Sequence, residues 1–204
     1  MKKFLLSVVC LFLYNAVCAQ VTFRPGVRAG VNFSHFTKGD IYYDYYYDNN
    51  GNYIEISNED QFSSKTDFYV GVFGTLQLSR FYALQPEIDF SRQGSKIEYY
   101  DGGIMRNVSK KLDVSYLSFA LVNKFTFNNF NFHVGPTIDF VVEENFRTDN
   151  EVDLTFLLGA GYNFNKNFGI EGRIKKGIVP VLDMNSNHSN VVFSLGATYT
   201  FDVK

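Results

Sequence analysis

The densest group of side chains suited to recognition lies early in the chain. Tyr42, Tyr43, Tyr45, Tyr46, Tyr47 and Tyr53 stand among Asp40, Asp44, Asp48 and several asparagines. Tyrosine supplies rigid, amphipathic contact area at low entropic cost, and small polar neighbours add adaptable hydrogen bonding. That is binding chemistry, and an extracellular protein or glycan is the ligand class it suits. A second group is sparse and of mixed sign: Arg28, Glu87, Asp89, Lys124, Asp139, Glu171, Arg173 and Lys175. Charges of both signs that share an enclosed space must pair. Catalysis would need a nucleophile with a fixed base, and His133 has no serine or acid set beside it by sequence. There is no phosphate-binding loop and no Cys/His metal pattern, and Asp48 to Asn52 lacks the spacing of a calcium loop. Neither an enzyme, a metal nor a cofactor is expected.

The elements that must carry these residues begin after a leader. Lys2 and Lys3 precede an apolar stretch from Phe4 to Val17, and Val17-Cys18-Ala19 offers small residues for cleavage before Gln20. Residues 1–19 are therefore read as a signal peptide and 20–204 as one domain. Both cysteines, Cys10 and Cys18, lie in the leader, so the exported chain has no disulfide to rely on. Losing Lys2 and Lys3 takes the formal charge from −2 to −4, and no basic patch favours nucleic acid. Aromatic residues make up 18% of the chain with no tryptophan, which favours strands.

Alternation with period two recurs along the whole domain. Strand one sets Val27, Ala29, Val31 and Phe33 against Arg28, Gly30, Asn32 and Ser34. Strand two sets Phe68, Val70, Val72 and Leu76 against Tyr69, Gly71, Thr75 and Gln77. Strand three opposes Leu84, Pro86, Ile88 and Phe90 to Gln85, Glu87, Asp89 and Ser91. Strand four, the least regular, opposes Leu117, Phe119 and Leu121 to Ser118, Ala120 and Lys124. Strands five to eight continue through Phe132–Val142, Asp153–Phe164, Phe168–Lys175 and Val191–Phe201. Eight strands of about ten residues have the length that a tilted strand needs to cross a bilayer. Tight turns at Ser79-Arg80, Asn128-Asn129 and Asn165-Lys166 alternate with long loops at 36–65, 93–112, 143–151 and 179–189. An even strand number, short turns on one rim and long loops on the other describe an outer-membrane barrel of a Gram-negative cell, its termini periplasmic.

Alternation does not say which face is inside. A soluble lipocalin-like carrier would put its apolar face inward, and a small passive pore would leave its lumen open. Here the polar face is rich in Gly, Ser, Thr and Asn, not in the Lys and Glu of a solvated surface. Small residues suit the crowded lumen of a narrow barrel, which the eight charges above would plug. Glu87 and Lys124, on neighbouring strands, are expected to meet. Strand seven, with Arg173, should face strand three across the lumen. Pro86 and Pro136 each remove a ladder donor, which a local bulge would accommodate.

Several segments resemble one family. Gly26 to Ser34 (GVRAGVNFS) looks like the first strand of PorT-like outer-membrane β-barrel proteins. Leu84-Gln85-Pro86-Glu87-Ile88 with Ser91-Arg92-Gln93-Gly94 resembles the third strand, the most specific piece of the match. Gly135-Pro136 and Leu158 to Tyr162 are similar as well; Asn123 departs, standing where an apolar residue is expected. The resemblance covers the whole mature chain and implies an eight-stranded up-and-down barrel in outer-membrane lipid. The family's namesake is associated with protein secretion, a role that the resemblance does not carry over to this chain. Separately, Gly196, Tyr199 and Phe201 resemble the C-terminal signal that outer-membrane barrels present to the barrel-assembly machinery.

Overall fold

The computed structural model describes residues 22–37, 42–47, 53–58, 61–101, 106–146, 150–178, 182–183 and 187–202. The leader proposed for residues 1–19 lies outside them, as do the side chains of all six loop tyrosines. Every element among the described residues is a strand. Eight form the barrel: β1 Thr22–Phe36, β2 Lys65–Gln77, β3 Tyr82–Asp101, β4 Arg106–Phe127, β5 Phe130–Glu144, β6 Val152–Asn163, β7 Phe168–Gly177 and β8 Asn190–Thr200. Each pairs antiparallel with its sequence neighbours. The barrel closes where β1 meets β8, from Gly26 opposite Thr200 to Phe36 opposite Asn190. Beyond that ladder the Thr37 amide donates to the Ser189 carbonyl at 2.9 Å, so His35 and His188 belong to the same end of the barrel.

Faces follow the alternation. Val27, Val31, Phe68, Val70, Val72, Ile88, Phe119, Leu121, Phe132, Ile138, Phe156, Leu158, Ile170 and Leu195 point outward and are exposed, while Arg28, Gln85, Glu87, Asp139, Glu171 and Arg173 point inward and are buried. In water this would be an inverted protein; in lipid it is the stable arrangement, because only a closed barrel satisfies every backbone group there. Outward aromatic rings concentrate at the short-turn end. Phe81 stacks on Phe127, and Phe130, Tyr162, Phe164 and Phe168 form successive ring contacts at 5.0–5.8 Å. Nearer the other end, Phe33 meets Phe193 and Phe68 meets Phe90, each pair at 6.3 Å. Such paired girdles mark the two interfaces of a membrane-spanning barrel. Phe23 and Phe33 are ten residues apart on β1, which at the usual rise and tilt spans about 25 Å, the height of an outer-membrane apolar band.

Three expectations need correction. The loop at 93–112 is mostly strand: β3 and β4 stay paired from Tyr82 opposite Phe125 out to Asp101 opposite Arg106. Beyond the bilayer neither face meets lipid, so the apolar–polar contrast that marks a membrane strand fades while pairing continues. The loop at 36–65 likewise contains paired segments. Tyr42–Tyr47 forms a hairpin with Tyr53–Asn58, and Gln61–Ser63 pairs with Lys96 to Glu98 on β3. The prolines cause no bulge. At Pro86 the β2–β3 ladder skips two pairs and at Pro136 the β4–β5 ladder does the same, and both resume in register. The β4–β5 register shifts instead between Ser115 and Tyr116.

Candidate functional site

The barrel interior holds the chain's densest polar chemistry. Arg28 on β1, Glu87 and Asp89 on β3, and Glu171 and Arg173 on β7 converge from three directions. Arg173 donates two hydrogen bonds to Glu87, at 2.6 and 2.9 Å, and one to Glu171 at 2.9 Å. Arg28 also pairs with Glu87, lies 2.7 Å from Glu171 and 3.4 Å from Asp89, and stacks over the Tyr69 ring at 4.8 Å. Gln85 donates to the remaining side of Glu87 at 2.7 Å. The Glu87 carboxylate is thus wholly buried and gripped by two guanidiniums and an amide. Burying ions is costly unless such bonds satisfy them, and planar guanidinium forks are the groups best shaped to do so.

Lys175 forms a separate pair with Asp139 at 2.6 Å. The expected Glu87–Lys124 contact is absent: Lys124 reaches the Gln85 side-chain oxygen at 3.4 Å instead. The register explains this. Glu87 sits opposite Ala120 and Lys124 opposite Ala83, so Lys124 is displaced along the barrel axis from Glu87. His133 is buried and its ring lies 3.8 Å from Glu171, with no hydrogen bond from either nitrogen among the described residues.

Toward the long-loop end neutral hydrogen bonds join the ion pairs, Lys65–Asp67 standing directly opposite Ser34 and Asn32. Asn32 donates to the Ser91 hydroxyl and to the Arg92 carbonyl, both at 2.9 Å, and accepts from Ser194 at 2.7 Å. Ser34 both donates to and accepts from the backbone of Gly94 at 2.9 Å. Gln93 bonds Ser91 and Asn190. A space of about 30 Å³, lined in part by Arg28, Asp89, Arg173, Lys175 and Ser194, remains there, room for about two waters.

Several interior groups escape detection by alternation because they are apolar. Phe73, Val122, Leu157 and Val192 are buried, and each sits beside another apolar residue in the pairs Val72-Phe73, Leu121-Val122, Leu157-Leu158 and Val191-Val192. An adjacent apolar pair is itself the signal, since one member of it must turn inward. Asn123 faces outward, yet accepts from the Tyr82 hydroxyl at 2.8 Å and donates to the Val134 carbonyl at 3.3 Å. A polar side chain on the lipid face is tolerated there because both its ends are bonded. Gly196 faces inward against Tyr69, whose hydroxyl would lie 2.0 Å from an added Cβ. Tyr199 and Phe201 point outward, their rings 5.3 Å apart.

Comparison with known proteins agrees with this architecture. A family model described as outer membrane protein beta-barrel domain matches residues 18–183. Among solved structures, Neisserial surface protein A (NspA) aligns with a TM-score of 0.52 at 12% identity, over 87% of this chain and 97% of its own. OprG from Pseudomonas aeruginosa aligns with a TM-score of 0.50 at 13% identity, over 90% and 98%. At these identities the likeness is one of fold. No curated protein matches the sequence.

Proposed function

This chain belongs to the outer membrane protein beta-barrel domain family and spans a Gram-negative outer membrane, and from that premise we propose that it is a non-enzymatic barrel, plugged by its own side chains, whose long-loop end binds a partner outside the cell. The observation that carries the plug is the two-point grip of Arg173 on Glu87, reinforced by Arg28. Side chains from β1, β3 and β7 meet at mid-barrel, where an eight-stranded lumen is just wide enough for them to fill it. A passive pore would need these ion pairs to part, leaving charges uncompensated in a narrow, poorly screened space.

In this reading residues 1–19 are a cleaved leader, and the short-turn end faces the periplasm. Arg24 pairs with Asp202 at 3.1 Å there, bringing both ends of the barrel sequence together. Gly196, Tyr199 and Phe201 serve as the assembly signal. The likeness of the Leu84 to Ile88 segment supports a place in the PorT-like branch. Binding falls to the Tyr42–Tyr47 and Tyr53–Asn58 hairpin, whose two strands align Tyr46 with Ile54 and Tyr47 with Tyr53. Tyrosine-rich ribbons present flat aromatic area suited to protein or glycan surfaces.

Two measurements test this. Liposomes carrying the purified barrel should exclude small sugars as well as empty liposomes do; rapid sugar uptake would contradict the plug. Cross-linked capture from intact cells should lose its bound protein or glycan when Tyr45, Tyr46 and Tyr47 are replaced by serine. Undiminished capture would remove the hairpin from the binding surface.

A further inference from the structure

A charge imbalance among the described residues lies in the barrel wall at the long-loop end, where Lys65 and Asp67 stand opposite the inward-facing Ser34 and Asn32. Between Ser63 opposite Lys96 and Tyr69 opposite Ser91, the strand carrying residues 61–77 has one residue more than β3, and the ladder opens. A cavity of about 360 Å³ occupies the gap, lined by Lys65, Arg92, Lys96 and Lys111 with Asp67 and Asp113. Four cations face two carboxylates. Lys65 is bonded to both Asp67 and Asp113, and the group as a whole keeps an excess of positive charge. Arg92, Lys96 and Lys111 form no ion pair among the described residues.

The level of this gap is informative. The apolar outward positions end just below it, at Phe68 on β2, Phe90 on β3 and Leu117 on β4. Phe68 and Phe90 form the ring contact of that girdle. Moving away from the membrane, the next outward residue after Phe90 is Arg92, followed on the extended ribbon by Lys96 opposite Lys111. The excess positive charge among the described residues therefore stands where acyl chains give way to head groups. Basic pockets at that depth hold lipid phosphates, and arginine in particular suits a phosphate's paired oxygens.

We infer that the gap between β2 and β3 binds the phosphate of an outer-leaflet lipid, with Arg92 and Lys96 as its principal contacts and Lys111 at its margin. Asp67 and Asp113 hold Lys65 in place and limit the site to one phosphate. This inference rests on the orientation proposed above, in which the long-loop end faces outward. The binding test does not depend on orientation, so failure of either is separately visible.

The purified full chain, in phosphatidylcholine nanodiscs doped with diphosphoryl lipid A or its monophosphoryl form, is weighed by native mass spectrometry to count retained glycolipid. The wild type should retain diphosphoryl lipid A, and Arg92→Gln with Lys96→Gln should weaken retention roughly tenfold or more, as expected for two interfacial cations. Lys176→Gln, an outward cation on β7, should change nothing. Both replaced side chains lie outside the lumen; were the double variant nonetheless to misfold, Lys111→Gln should give a smaller loss in the same direction. Equal retention by the wild type, the Arg92→Gln/Lys96→Gln variant and Lys111→Gln would overturn the site. Full displacement by low-millimolar inorganic phosphate would overturn the lipid assignment.

Discussion

Arg173 on β7 and Glu87 on β3 meet across the barrel interior through two parallel hydrogen bonds, 2.6 and 2.9 Å long, although they are 86 residues apart in sequence. No backbone pairing joins β3 to β7; side chains alone tie these opposite walls. Breaking a buried pair leaves its partner charged and unpaired, which typically costs about 3–5 kcal/mol. Glu87 would keep Arg28 as a partner, so Arg173→Ala is expected to cost about 3 kcal/mol, the low end of that range. Equilibrium unfolding in urea, followed in detergent, measures it. A loss below about 1 kcal/mol would mean that water screens the pair.

Glu87→Ala should be worse than Arg173→Ala, because it leaves two guanidiniums to share Glu171, with the more distant Asp89 reaching Arg28 only. The combined variant should cost less than the two losses added, since the groups act as one network. Additive losses in a double-mutant cycle would show that the pairs are independent.

Gly196 on the last strand leaves no room for a side chain. An alanine there would place Cβ 2.0 Å from the Tyr69 hydroxyl and 2.6 Å from the Ala29 carbonyl oxygen. Gly196→Ala should therefore destabilise by roughly 1–3 kcal/mol, as overpacking does. Adding Tyr69→Phe should restore only part, because the backbone contact remains. Folded fraction, read from the mobility of unheated samples in gels, separates these cases; full rescue by Tyr69→Phe would assign the whole clash to the hydroxyl.

Much of the fold is legible in the sequence because lipid imposes a strong contrast on alternate residues. Val27 to Phe33 and Phe132 to Val142 show that contrast, and their faces follow from it. It fails where the contrast is missing. Residues 93–101 and 106–112 continue as paired strands beyond the apolar belt, where neither face needs to be apolar, and so they read as loop. Val122 and Leu157 sit inside the barrel although their types suit lipid. Alternation identifies Glu87, Lys124 and Arg173 as sharing one face, but which of them touch depends on register and barrel curvature. Those place Arg173, not Lys124, on Glu87.

Orientation has its own test. An epitope inserted between Tyr47 and Tyr53 should be labelled on intact cells, whereas one appended after Lys204 should be labelled only once the outer membrane is permeabilised. Labelling of the C-terminal epitope on intact cells would invert the barrel.

The plugged lumen is tested most directly by current through single barrels in planar bilayers at high salt. The account predicts no steady conductance from the wild-type protein, and stepwise conductance once Arg28, Glu87 and Arg173 are all replaced by alanine in a chain that still folds. A steady, ohmic conductance through the wild type, with Arg173→Ala just as stable and just as conductive, would contradict it.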